Sequence, residues 1–129
     1  YKAKQTPYST NIFVANNINL FLNEYDNLRK TKEKIKNNFI YLKKYMQRKD
    51  LKKLVNNVKY NYTGFMLIEL CDNIDYNNLI EFLNKRKIYL SPTNKYYGNL
   101  KHNYLRISAG KKRDFRILVK TLKKYLNKI

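Results

Sequence analysis

Tyr104-Leu105-Arg106-Ile107-Ser108 decides how this chain folds. Leu105 and Ile107 alternate with Tyr104, Arg106 and Ser108, so a strand here buries the first pair and turns the other three to the opposite face. Upstream, Gly64-Phe65-Met66-Leu67-Ile68-Glu69-Leu70 reads as a second, more fully buried strand. Ile88-Tyr89-Leu90 reads as a brief third one, stopped by Ser91-Pro92-Thr93-Asn94. Between them Asp75 is placed to cap a short helix with Leu79, Ile80, Phe82 and Leu83 on its inner side. After the Arg106 strand, residues 114–127 predict an amphipathic helix with Phe115, Leu118, Val119, Leu122 and Leu126 inward.

The N-terminal half is helical by the same periodicity. Residues 1–9 read as an extended lead-in, with Pro7 holding the backbone out of a helix. Ser9 or Thr10 can cap a first helix to about residue 23, nearly encircled by Ile12, Phe13, Ala15, Ile18, Phe21 and Leu22. Residues 25–49 predict a long second helix, in which Leu28, Ile35, Phe39, Leu42 and Met46 form an apolar stripe. Residues 51–58 read as a helical turn and a loop. The expected fold class is α+β: a small, mostly antiparallel sheet of about three strands with helices on one side. Two helices precede it, the longer one suited to brace a neighbouring domain. Residues 1–58 are then an interdomain helical segment and 59–129 a C-terminal small domain.

A chain of 129 residues, 43% hydrophobic, can bury a core and is not disordered by composition. A single cysteine, Cys71, excludes an internal disulfide, and with His102 it falls far short of a zinc site. No apolar run reaches the roughly 20 residues that span a bilayer, and no signal-peptide core is visible, so the cytoplasm is the expected compartment. Asn61-Tyr62-Thr63 fits a glycosylation sequon by chance in that setting. The absence of an initial Met leads us to expect that Tyr1 lies inside a longer protein.

The formal charge of +19 points at first to nucleic acid or an anionic membrane. The cations are scattered, however, and come with abundant Asn, Ile and Tyr, as a coding bias toward AT-rich codons produces. Only residues 30–53 and 111–128 are dense in Lys, and dense Lys on helices is usually a solvated face. Neither a membrane nor nucleic acid is the expected partner.

Against that background Arg106 stands out, because Lys supplies most of the 28 basic residues. A guanidinium held by a strand is a rigid fork suited to gripping a carboxylate with two parallel hydrogen bonds. The alternative is a half-exposed strand arginine paired with a local Asp or Glu. His102 sits in a polar loop and reads as a surface residue. Asp72 and Asp75 are close enough to consider for a metal, but beside a helix start they read as loop and cap residues. Tyr96 and Tyr97 could stack on bases, form a lid or pack. These residues hold no self-sufficient catalytic set.

In order and spacing, the strand 64–70, the helix from Asp75 to Arg86, Ile88-Tyr89-Leu90-Ser91-Pro92, Tyr97-Gly98 and Tyr104-Leu105-Arg106-Ile107-Ser108 form a recognisable series. It resembles the C-terminal part of class I/II, fold-type-I PLP-dependent aminotransferases. Thr6-Pro7-Tyr8-Ser9-Thr10-Asn11 resembles the segment that follows that family's large domain. The resemblance implies an enzyme that moves an amino group between an amino acid and a 2-oxo acid, and a homodimer with its active site at the subunit interface. It places Arg106 as the residue that binds the substrate α-carboxylate, with Tyr96 and Tyr97 lining the entrance. Pyridoxal 5'-phosphate would be held mainly by the upstream large domain, which carries the Schiff-base lysine. The segment alone should be inactive, and none of its lysines is expected in that role.

Two departures bear on the substrate. Branches of the family acting on phosphorylated amino acids, such as histidinol-phosphate aminotransferases and threonine-phosphate decarboxylases, usually carry arginine where this chain has Ser91, so the resemblance favours an unphosphorylated substrate. Thr93 stands where many relatives have glycine. The same domain also closes GntR-type transcription regulators, which use it as a PLP-binding sensor. A basic nucleic-acid-binding module is the alternative from another class.

Overall fold

The computed structural model describes residues 17–60, 64–91, 93 and 103–129. Its contacts divide the chain into two compact units, Tyr1–Glu33 and Lys34–Ile129. Described elements of the first are α1 (Ile18–Asn23) and the start of α2 (Tyr25–Met46). Ile18, Leu20, Leu22, Tyr25 and Leu28 are exposed there, so the apolar character of this region is not used up in a core.

The second unit is the α+β layer that the sequence leads one to expect. Three strands, β1 (Val55–Lys59), β2 (Phe65–Leu70) and β3 (Tyr104–Ser108), form one antiparallel sheet in the order β1-β2-β3. Helices α3 (Tyr76–Asn84) and α4 (Lys112–Leu126) complete it with the rest of α2. Met66, Ile68 and Leu70 of β2 and Leu105 and Ile107 of β3 enter the core. There they join Phe39, Leu42 and Met46 of α2, Leu79, Phe82 and Leu83 of α3, and Phe115, Leu118, Val119 and Leu122 of α4. The helical period of 3.6 predicts most of these buried positions, but Leu28, expected in the α2 stripe, is exposed. On α4, Thr121 and Tyr125 are buried too. The Tyr125 ring meets Phe82 edge-on at 5.2 Å.

Two strand expectations are corrected. Residues 55–59 form β1 rather than a loop, after a 3-10 turn at Lys49–Leu51. Val55 pairs with Leu70 and Asn57 with Glu69, and the register slips between them. That bulge lets Val55 and Val58 both face the core, although three residues apart they break strict alternation. Ile88-Tyr89-Leu90 is not a strand, and this segment meets the sheet in a single bridge from Ser91 to Arg106. The backbone is turned away beforehand. Ile88 N donates to Leu83 O and Lys87 N to Asn84 O, closing α3 with Lys87 at φ 58.

Candidate functional site

Pairing of β2 with β3 sets Leu67 opposite Arg106 and Glu69 opposite Tyr104, and Phe65 opposite Ser108. These residues share the face turned away from the helices, because their alternate neighbours fill the core. The Arg106 guanidinium carbon lies 4.4 Å from the centre of the Phe65 ring. The ring thus supports the cation from one side. Arg106 makes no side-chain hydrogen bond or ion pair among the described residues, and its Nε is buried without a partner. The local ion pair open to it from the sequence is therefore not formed there. A buried, unanswered N–H costs about 1–3 kcal/mol, so this position favours an incoming acceptor.

Arg106 is also one of the residues that line a cavity. This cavity of about 260 Å³ runs along the outer edge of β3, bounded by residues 88–91, residues 106–110 and the Asp114, Phe115 and Leu118 side of α4. Ser91, exposed, is bridged to Arg106 and forms part of that wall. The segment is pinned by Thr93, which is fully buried and donates from Oγ1 to Tyr104 O at 2.7 Å; Tyr76 Oη lies 3.5 Å from the same hydroxyl. A glycine could not make that bond, so the departure at Thr93 is a structural tie between the turn and the start of β3. At the other end, Asn38 of α2 donates from Nδ2 to Gly110 O at 2.9 Å. Gly110 also faces Phe115, whose ring would lie 3.1 Å from a Cβ added at this position.

Further along the same sheet face is a polar cluster that no sequence motif announced. Glu69 is buried; it accepts from Tyr104 Oη at 3.2 Å and from Asn56 Nδ2 at 2.6 Å, and Lys59 Nζ lies 3.7 Å away. Lys59 also donates to Tyr104 Oη at 3.3 Å. That bond, then the neighbouring Tyr104 and Glu69 oxygens, hold the Lys59 ammonium above the usual lysine range. The one available signal was an acid within the otherwise apolar β2.

Tyr96, Tyr97 and His102 lie outside the described residues. Asp75 is a helix cap, accepting from Asn78 N at 3.0 Å. No cluster of three metal-ligating side chains occurs among the described residues, and no described helix is long and apolar enough to cross a membrane. Burial first, and then the charges of Asp72 and Glu69, push the Cys71 thiol up, which makes it a poor nucleophile.

No protein-family model and no curated protein matches the chain. Its structure is similar to that of the histidinol-phosphate aminotransferase from Clostridium acetobutylicum, with a TM-score of 0.74 and 20% identity. The match covers 99% of this chain and 37% of that one. It is also similar to a decarboxylase from Sulfurospirillum multivorans, with a TM-score of 0.61 and 20% identity over 82% of this chain and 28% of that one. The chain thus spans well under half the length of either protein, and at these identities the likeness is one of fold. What the sequence resembled, the fold bears out: this chain has the fold of part of that aminotransferase.

Proposed function

We propose that this chain is the C-terminal part of a PLP-dependent aminotransferase, and that Arg106 binds the α-carboxylate of its amino-acid and 2-oxo-acid substrates. The carrying observation is the buried Arg106 Nε without a partner, beside a cavity of about 260 Å³, on a fold shared with an aminotransferase. A strand-held fork fixes the carboxylate and so the direction of the substrate's Cα–H bond, the bond such an enzyme must break. Phe65 and the pairing with Leu67 keep the fork from turning away. Tyr96 and Tyr97 line the entrance in this reading, and the protein works as a cytoplasmic homodimer. Residues 1–58 form the interdomain segment and 59–129 the small domain, with β1 tied into the small domain's sheet.

The side chains described here fit the substrate's carboxylate and not the covalent attachment of pyridoxal 5'-phosphate. A Schiff-base lysine is desolvated, with a lowered pKa. No described lysine is buried, and Lys59 is shifted upward. The cofactor, an electron sink in this chemistry, would be held by other parts of the protein.

For the substrate, Ser91 is the relevant residue. The Clostridium protein is named for a phosphorylated compound. Here Ser91, beside Arg106, offers a hydroxyl and no charge for a phosphate, so we infer an unphosphorylated amino acid. The test uses the intact PLP-loaded protein. Arg106→Lys should raise KM for the amino acid strongly while leaving the cofactor's absorbance band in place. Unchanged kinetics would defeat the carboxylate role, and a preference for phosphorylated over plain amino donors would defeat the substrate class.

A further inference from the structure

The two Lys-dense stretches that the sequence left as solvated faces meet in the folded chain. Helices α2 and α4 pack against each other, with the Phe39 and Phe115 rings 5.8 Å apart. Beside that contact a cleft of about 230 Å³ opens between Tyr41 and Tyr45 on α2 and Arg116, Lys120 and Lys123 on α4. We propose that this cleft binds single-stranded nucleic acid, with a base on the tyrosine pair and phosphates on the α4 cations. This rests on observations independent of the Arg106 site.

The aromatic half is already assembled. The Tyr41 and Tyr45 rings lie 4.6 Å apart at 44°, and both side chains are half-buried, so they form a fixed platform with accessible edges. The cationic half surrounds it. Arg48 lies 5.5 Å from the Tyr45 ring centre, while Lys112 and Arg116 lie 5.6 and 5.8 Å from that of Tyr41. Arg116 Nε donates to Tyr41 Oη at 3.0 Å, and the terminal nitrogens of that exposed side chain bind no described residue. A coding bias explains scattered Lys. It does not explain why two of the chain's six arginines, from different elements, converge on one pair of tyrosines in ring contact.

Charge bookkeeping supports an anionic occupant. Lys112, Arg116 and Lys120 follow one another at four-residue spacing, a like-charge row about 12 Å long that weakens the helix unless an anion lies along it. Asp50 bridges Lys123 at 2.5 Å and Arg48 at 3.7 Å and so neutralises one end of the cleft. Lys112, Arg116 and Lys120 keep no acidic partner among the described residues. A row of several cations beside a stacking platform matches a strand of nucleotides better than a small anion.

The test is fluorescence anisotropy of a labelled oligothymidylate titrated with this chain at several salt concentrations. Binding should weaken steeply with salt, with a slope of about −0.7 per phosphate neutralised. Combining Tyr45→Leu with Arg116→Gln should lower affinity about fivefold or more. Lys87→Asn, which removes the same charge at the end of α3, should change it less than about twofold. Equal losses in both variants would mean diffuse attraction and overturn the proposal, as would inorganic polyphosphate binding as tightly as the oligonucleotide. Ultraviolet cross-linking of unmodified protein to a photoreactive oligonucleotide gives a check independent of variant folding. Adducts on the peptide holding Tyr41 and Tyr45 are expected, and adducts confined to other peptides would overturn the assignment.

Discussion

Arg106 rests on Phe65, its guanidinium carbon 4.4 Å from the ring centre, while its own Nε is buried and unanswered. These two features pull in opposite directions. The cation–ring contact contributes about 0.5–1 kcal/mol, and the unpaired N–H costs about 1–3 kcal/mol. Arg106→Leu should therefore leave the chain as stable or slightly more stable in denaturant unfolding. A clear loss of stability would assign the arginine a structural role and speak against a residue kept for binding.

Thr93 ties the wall of the cavity to β3 through its 2.7 Å bond to Tyr104 O. Thr93→Val keeps the shape and removes the donor, so it should lower stability by about 1 kcal/mol. Amide exchange should speed up for residues 88–91 and leave β2 unchanged.

Lys87 holds a left-handed conformation, φ 58, where the two bonds to Leu83 and Asn84 close α3. A side chain in that region costs about 1–2 kcal/mol, and glycine avoids it at some entropic cost in the unfolded chain. Lys87→Gly should raise stability by about 0.5–1 kcal/mol, against the usual trend for glycine substitutions. A lower midpoint of thermal unfolding would contradict this.

Asp75 caps α3 by accepting from Asn78 N. Asp75→Ala should cost about 0.5–2 kcal/mol in denaturant unfolding, and Asp75→Asn much less, since the amide oxygen can accept the same bond.

Tyr41 offers a pH test. The hydrogen bond from Arg116, helped by one from Tyr45, holds its hydroxyl below the usual tyrosine range, while the bond with Tyr41 pushes Tyr45 above it. Because the folded value for Tyr41 is the lower one, its stabilising effect is present above the ordinary tyrosine pKa. It is lost as pH falls through the lowered value. Ultraviolet difference titration should show an early-ionising tyrosine that Tyr41→Phe removes, and Arg116→Gln should move it back toward the ordinary range.

The sequence by itself determined the class of fold and most of its elements. The apolar period of α2, the cap at Asp75, the alternation in β3 and the amphipathic pattern of α4 are local, so they appear without knowledge of any partner. Alternation also placed Arg106 on the face away from the core. It could not place β1, whose Val55-Asn56-Asn57-Val58 reads as a loop until a bulge against β2 brings both valines inward. Nor could it show that residues 88–90 fail to pair, since Ile-Tyr-Leu satisfies every strand preference while the turn at Lys87 sets the segment apart from the ladder. Only the tertiary structure put Phe65 beneath Arg106, Ser91 beside it, Thr93 under Tyr104, and Tyr41 and Tyr45 against Arg116. These contacts depend on register and on the packing of elements distant in the chain. Periodicity carries the orientation of a side chain, and only the completed packing decides what it faces.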